Sequence, residues 1–535
     1  MEFTNMTLKE KVLQTFVVTM REVNKHGGPE EFFKKYKVGG LFYNTSLHPD
    51  DKDFPETGTR MRLDSLAECR KYSQIPLLVC ADAVKLEGQT INAGCNSVGA
   101  SRSEELAYNL GKMWGMQFNS CGVDWVLGPC IDLLYSSEMV LGAMSDDPIL
   151  TAKIYRQVVK GVQDQGIIAT AKHFPGMGTT SINMHFGPGV NKLSFDEWMD
   201  TYGYTYKEMV KEGVLSVMTT HTTLTSYDSE GQDGYFPIAT YSEKLTKELL
   251  KDKIGFGGGV VTDALIMGGM STGDLVKECV QTFKCGTDLL LWPPIEAADA
   301  IVKALEDGEI PMSRLDDALA RIGKMREFRE NALKNNIADT PDKDWANKAS
   351  EEMIKKGIAL CRNDRGIIPI SGNKKILIVD ATSNEKIAVF GESYDGTNVG
   401  RYCSSAQLLK EGLEKEGFTC DIKRDIYDVE SNVFWQDDVD ELTKDYDYIL
   451  FDLNTQFVTT WDVPYMLIWG SHMMDKAKKI IVNFGSPYFV PHYFPEDPTI
   501  INVNAGPSQT SIQAVVDGIV GKMKMTGQPR IKETR

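Results

Sequence analysis

Through its first 330 residues the chain repeats one unit: a short apolar run followed by a longer segment with helical spacing. The runs are GGLFYN (39–44), PLLVCAD (76–82), VDWVLGPC (123–130), IIATAKHF (167–174), VLSVMTTH (214–221), GGVVTDA (258–264) and GTDLLLW (286–292). Each is apolar or β-branched and lacks strict alternation, as expected of a strand buried on both faces of a parallel sheet. Between them lie helical segments such as SEELAYNLGKMWGMQF (103–118) and TAKIYRQVVKGVQDQG (151–166). Repeated β-then-α units imply a parallel sheet with crossover helices. Seven or eight of them over this length fit a (β/α)8 barrel, which needs about 250 residues plus insertions.

The pattern breaks after residue 325. Residues 324–357 are charged, helical and weakly apolar. A second α/β series follows in KKILIVD (374–380), FTCDIKR (418–424), YDYILFDLN (446–454), KKIIVNFGSPY (478–488) and TIINVNAG (499–506). The expected fold is therefore α/β: a barrel over 1–330, a helical linker over 331–365, and over 366–535 an αβα sandwich with a mostly parallel, doubly wound sheet. No GxGxxG follows the first strand of that series and GxxxxGK[ST] is absent from the chain, so a dinucleotide or P-loop cofactor is not expected.

Charge narrows the functional classes. Lys and Arg number 58 against 75 Asp and Glu, a net charge of −17. Such a surface repels phosphate backbones and anionic lipid, so neither nucleic acid nor membrane is an expected partner. No run of about 18 apolar residues is present, and the N-terminus lacks the signature of a secretory signal. The ten cysteines are scattered without a CxxC pair. They read as reduced, buried thiols, and the expected compartment is the cytoplasm.

In a parallel barrel the reactive groups sit at the carboxyl ends of the strands. Five consecutive runs end in or lead to ionisable residues: Asp82, Asp132, the pair Lys172–His173, His221 and Asp263. That recurrence exceeds what packing asks for and marks a site rim. Three of the seven histidines (173, 185 and 221) fall in this region, but gaps of 12 and 36 residues do not match tight zinc motifs, so no metal is expected. A core imidazole bonded to a carbonyl remains an open reading of His221. The glycine- and proline-rich stretch AKHFPGMGTTSINMHFGP forms a long irregular loop carrying His185, which can exchange protons near neutrality. A strand-end carboxylate, Asp263, opposite a mobile acid is the arrangement for double displacement at a sugar carbon.

With these residues in view the chain resembles glycoside hydrolase family 3, in its two-domain β-N-acetylglucosaminidase branch. TLKEKV (7–12) is similar to the family opening. KHFPGMG, four residues and Asn183-Met184-His185 resemble the family loop K-H-[FI]-P-G-x-G…D-[ST]-H. SVMTTH (216–221) and FPIATYSEKLTKELLKDKIGFGGGVVTDALIM (236–267) resemble two further motifs. The resemblance implies Asp263 as nucleophile, His185 as acid/base with Asn183 beside it in the catalytic set, and Asp82, Lys172 and His173 as binders of sugar hydroxyls. Asp132, Met177, His221 and Met267 complete the expected substrate-binding set. It also implies a retaining exo-acting β-glycosidase for terminal β-linked sugars, most readily N-acetylhexosamine, with water, or phosphate in some relatives, resolving a glycosyl-enzyme. A β-glucosidase-like enzyme, a phosphorylase and a weakened sugar-binding protein stay open as alternatives. The sequence departs from the family pattern in five places, one of them Thr179, where the family often has aspartate. Asn183 replaces the loop aspartate. Met177 replaces a histidine. Gly142-Ala143-Met144 stands where the family has R-[SA]-F, and Asp82 to Gln89 replaces D-x-E-G-G with extra residues.

Overall fold

The computed structural model describes residues 3–43, 59–82, 93–135, 143–180, 182–382, 405–424, 435–454 and 463–532. Contacts divide the chain into two units. One comprises Met1–Gly88, Ala107–Ala143 and Pro148–Lys343, the other Gln89–Leu106, Met144–Asp147 and Asp344–Arg535.

The first unit contains strands β1 (Phe16–Thr19), β2 (Gly40–Phe42), β3 (Leu78–Ala81), β4 (Trp125–Val126), β5 (Thr170–Phe174), β6 (Gly189–Asn191), β7 (Ser216–Thr219), β8 (Thr222–Leu224), β9 (Gly259–Thr262) and β10 (Leu290–Leu291). One parallel sheet runs β10-β1-β2-β3-β4 and another β5-β7-β9. Single parallel bridges join them, Trp125 to Ile168 between β4 and β5 and Val261 to Leu289 between β9 and β10. Eight parallel strands thus close into a ring, while β6 and β8 pair with each other beyond its rim. Alternate residues such as Leu78, Cys80, Trp125, Ile168, Met218, Val261, Leu289 and Leu291 fill the interior. Their neighbours Val79, Val217 and Val260 are equally buried. Burial on both faces is why the runs read as continuously apolar.

All seven expected runs contain a barrel strand. The strand missing from that reading is β1, so Asp82 follows the third barrel strand rather than the second, and each later position moves on by one. The physical reason is local. β1 is four residues long and sits directly between two capped helices, Leu8–Leu13 and Met20–Lys25, with its own Thr19 serving as N-cap of the latter. Its apolar residues therefore continue a helical spacing.

Two carboxylates lie at the amino ends of strands, on the face opposite the expected site. Asp124 accepts from Arg70 at 2.7 Å, Arg329 at 2.9 Å and the Val79 N–H at 3.0 Å. Asp288 accepts from Lys251 at 2.7 Å, Arg314 at 2.6 Å and the Val260 N–H at 2.9 Å. These buried charges are fully paired and belong to stability, as the amino-terminal face of a barrel implies.

The second unit holds β11 (Ala359–Asn363), β12 (Lys375–Thr382), β13 (Thr419–Lys423), β14 (Tyr448–Asn454), β15 (Lys479–Asn483) and β16 (Thr499–Asn502). The sheet order is β11-β16-β15-β14-β12-β13. The five expected strands pair in parallel, with β12 between β13 and β14, the doubly wound order. β11 adds an antiparallel edge. It lies inside the stretch read as a helical linker, which also holds the end of the helix Met312–Lys334 and the whole of the helix Lys343–Gly357. Apolar clusters cover both faces of the sheet, one including Ile376, Ile378, Leu409 and Val515, the other Leu377, Val379, Phe451 and Leu467.

The helices Glu104–Ser120 and Pro148–Asp164, which precede β4 and β5, meet through glycines. A methyl group on Gly111 would collide with the Val158 carbonyl, and one on Gly161 with the Tyr108 carbonyl. Gly111→Ala is expected to lower stability by about 1–3 kcal/mol, the cost of overpacking, despite the better helix propensity of alanine. Thermal unfolding of the two proteins checks this, and an unchanged or raised Tm contradicts the close packing.

Candidate active site

The carboxyl ends of β3, β4, β5, β7 and β9 carry the expected residues. The Lys172 Nζ donates to Asp82 Oδ1 at 3.0 Å. Burial alone would lower the lysine pKa, but Asp82 outweighs it and the group is held above its ordinary value. The pair is open to the barrel mouth, with the Asp82 side chain 57% exposed.

Asp132, expected to contact sugar, makes its hydrogen bonds within the protein. It is buried, and both its oxygens are occupied. Oδ2 accepts from the His173 backbone N–H at 3.1 Å and lies 2.8 Å from His173 Nδ1, while Oδ1 accepts from the Met177 N–H at 2.7 Å. The carboxylate therefore sets the imidazole of His173 and the start of the loop. Cys130 Sγ, a carboxylate oxygen of Asp132 and a ring nitrogen of His173 lie within 4.8 Å of one another, a spacing metal ligands can have. The filled hydrogen bonds of Asp132, and burial that pushes the Cys130 thiol well up, make this cluster a poor metal site.

Asp263 follows β9. Its backbone N–H donates to the Thr219 carbonyl at 2.8 Å, and its Oδ1 accepts from the Ala264 N–H at 2.8 Å. The Thr220 hydroxyl lies 3.5 Å from Oδ2. Burial acts to raise the pKa of this carboxyl, but His173, His221, the Ala264 N–H and Lys172 together hold it below the usual value. The imidazoles contribute only when protonated, whereas the Ala264 N–H and Lys172 act at neutral pH, so Asp263 is ionised there.

His221, expected to bind substrate, makes its hydrogen bonds within the protein. It is fully buried. Nε2 lies 3.2 Å from the Ala264 carbonyl and Nδ1 2.7 Å from the Thr240 hydroxyl. A carbonyl only accepts, so Nε2 carries the hydrogen and Nδ1 accepts from Thr240. Met177 and Met267 are also buried, and pack with Met184 and Ala264 on top of the barrel core. What Met177 offers the site is its backbone N–H and the sulfur, which accepts from the Thr220 hydroxyl at 3.2 Å.

His185 is exposed on its loop. Asn183 Oδ1 accepts from the His185 backbone N–H at 3.0 Å and lies 2.7 Å from its Nδ1. The backbone donor fixes the amide with oxygen toward the ring, so Nδ1 carries the hydrogen and Nε2 does not. The loop is tied to the segment after Asp263 by Gly268 N–H to the His185 carbonyl at 2.9 Å and Gly269 N–H to the Met184 carbonyl at 3.0 Å. Only glycines permit this approach: a Cβ on Gly269 would lie 2.6 Å from the Met184 oxygen, and one on Gly268 2.9 Å from the Phe186 oxygen. Thr220, Thr240 and this glycine pair were missed in reading the sequence; the GG of ALIMGGM was the one visible signal. Residues 83–90 and Gly142, where the family pattern is altered, lie outside the described residues.

Burial holds the His221 imidazole below its ordinary value, so it stays neutral as pH falls. The unfolded chain takes up a proton there below about pH 6.5, and native stability must decline in that range. His221→Asn is expected to flatten the wild-type loss of Tm between about pH 6.5 and 5. The Asp263 carboxyl is also shifted down, and its contribution is lost only below about pH 4, a separate window. Equal pH slopes for both proteins would contradict the neutral buried imidazole.

Residues 7–325 match the family model described as glycosyl hydrolase family 3 N terminal domain. The chain is 24% identical over 531 residues to the beta-N-acetylglucosaminidase/beta-glucosidase of Cellulomonas fimi, covering 92% of this chain and 87% of that one. It is 24% identical over 415 residues to beta-hexosaminidase A of Pseudoalteromonas piscicida, covering 70% and 68%. Among solved structures, beta-glucoside phosphorylase BglX superposes with a TM-score of 0.78 at 21% identity, covering 99% of this chain and 94% of that one. A family 3 beta-N-acetylglucosaminidase from Paenibacillus sp. str. FPU-7 does so at 0.77 and 20%, covering 99% of each. Among the described residues no helix is long and apolar enough to cross a membrane. The barrel, its mouth and the family match over most of the first unit lead to one conclusion: the chain belongs to glycosyl hydrolase family 3 and is an enzyme acting on O-glycosyl bonds.

Proposed function

We propose that the protein is a retaining, exo-acting β-glycosidase whose nucleophile is Asp263 and whose acid/base is His185. The observation that carries this reading is the pair of backbone hydrogen bonds holding the His185 loop against the turn that follows Asp263. In the first step an Asp263 oxygen bonds to the anomeric carbon as the bond from that carbon to the leaving oxygen breaks, and His185 Nε2–H gives its proton to that oxygen. In the second step neutral Nε2 takes a proton from water, whose oxygen displaces Asp263. Asn183 keeps the hydrogen on Nδ1 through both. Lys172, Asp82 and His173 hold sugar hydroxyls. The relatives named for N-acetylglucosamine and hexosamine support a terminal β-linked N-acetylhexosamine as substrate.

Asn183 also favours a second reading. A neutral amide beside His185 leaves no negative charge to repel an anionic acceptor, so phosphate could take the place of water, as the name of the phosphorylase relative suggests for that protein.

Aryl β-glycosides of N-acetylglucosamine and glucose, assayed with and without phosphate, separate these readings by product: free sugar or sugar 1-phosphate. A 2-fluoro glycoside is expected to label Asp263, and Asp263→Asn to abolish turnover with the fold intact. Label on another carboxylate refutes the assignment. For the dyad, Asn183→Asp adds a charge that stabilises imidazolium, so the acid/base limb of the pH–rate profile moves to higher pH. An unmoved limb would mean that Asn183 does not tune His185.

A further inference from the structure

The rim of the barrel has two chemically different sides. Following the ring, β3, β4, β5, β7 and β9 lead to Asp82, Asp132, Lys172 with His173, Thr220 with His221, and Asp263. The arc β10-β1-β2 that completes the ring offers Trp292 immediately after β10 and Phe42 at the end of β2. Between these, the Thr19 hydroxyl at the end of β1 is taken up in capping a helix.

The placement of Trp292 is unusual in three respects. Leu289 and Leu291 point into the barrel core, so alternation would send residue 292 outward to the helices. Its φ of +66° breaks that alternation, a conformation that bulky residues rarely adopt. The indole is turned back over the core, edge-on to Phe42 with ring centroids 5.0 Å apart, and remains part-exposed while Phe42 beneath it is buried. Finally, its indole N–H has no acceptor among the described residues, uncommon for a covered donor. The segment after the nucleophile is bonded beside it, since the Leu265 N–H donates to the Leu291 carbonyl at 3.1 Å.

We propose that Trp292, backed by Phe42, is the apolar platform of the sugar subsite. A pyranose is amphipathic: its hydroxyls lie round the edge and its C–H groups on the faces. A mouth with Asp82, Lys172 and Asp263 on one arc and an aromatic surface on the other matches both parts, with the hydroxyls on the charged arc and a C–H face on the indole. Trp292 is thus a specificity residue for a pyranoside ring, and this assignment rests on the glycosidase reading above.

The test uses the full chain, glucose and N-acetylglucosamine, with binding read by calorimetry and by intrinsic fluorescence. Sugar is expected to perturb the emission of the wild type. Trp292→Phe, which keeps the packing and leaves seven of the eight tryptophans, should lose that change yet still bind sugar. Trp292→Ala should bind about tenfold more weakly and raise KM on an aryl glycoside about tenfold with little change in kcat. A purely structural tryptophan would lower Tm and active fraction in Trp292→Ala and leave KM and the fluorescence response of Trp292→Phe as in the wild type. Either of those results overturns the proposal while leaving the glycosidase reading standing. Failure of the wild type both to bind sugar and to turn over any glycoside would overturn both.

Discussion

Ring closure by eight short parallel strands is the constraint on which the rest of the first unit depends. A parallel strand needs a crossover before the next, and each crossover returns the chain to the same end of the sheet. Every strand therefore delivers its last residue to one rim. Single bridges, Trp125–Ile168 and Cys130–Lys172 on one side and Val261–Leu289 on the other, complete the circle. With the circle closed, Asp263 and Lys172 face a common space although 91 residues separate them. The amino-terminal ends show the same geometry used for stability, since Asp124 and Asp288 are buried there and matched by arginine and lysine.

Charge at the rim is arranged in a hierarchy. Asp132 is the most buried of the mouth carboxylates and makes its bonds inward, to the His173 ring and two backbone N–H groups. With its lone pairs occupied it serves as a fixed post for the groups around it. His221, neutral and buried, does the same for the turn after Asp263 by donating to the Ala264 carbonyl. These two residues make their bonds within the protein, whereas Asp82, Lys172, His173 and Asp263 are the groups proposed to meet a sugar. His185 stands apart from that rigid set, exposed on a loop whose place is defined by two backbone bonds and two glycines.

Much of this was legible in the primary structure, and the parts that were not have identifiable causes. Seven of the eight barrel strands were visible because burial on both faces writes itself as a continuous apolar run. β1 was hidden by the helices at each end of its four residues. β11 was hidden because it is an edge strand with Arg362 among its residues, attached to a charged helix. Strand-end position and residue type were enough to bring out Asp82, Asp132, Lys172, His173, His221 and Asp263. They could not separate residues that face the mouth from those that support it, because the last residue of a strand and the one after it differ only in direction.

The sequence by itself determined the fold class, the division into two α/β series and the side of the barrel on which the chemistry collects. Local periodicity and strand-end chemistry suffice for those. Tertiary structure alone decided which polar groups are spent on each other. Asp132 was claimed by N–H groups 41 and 45 residues away, and His221 by Thr240 and Ala264. It also decided the direction of Trp292, since a single left-handed residue overrides the alternation by which a strand is read. Hydrogen-bond partners and side-chain directions depend on distances that close only when the ring closes, and no window along the chain contains them.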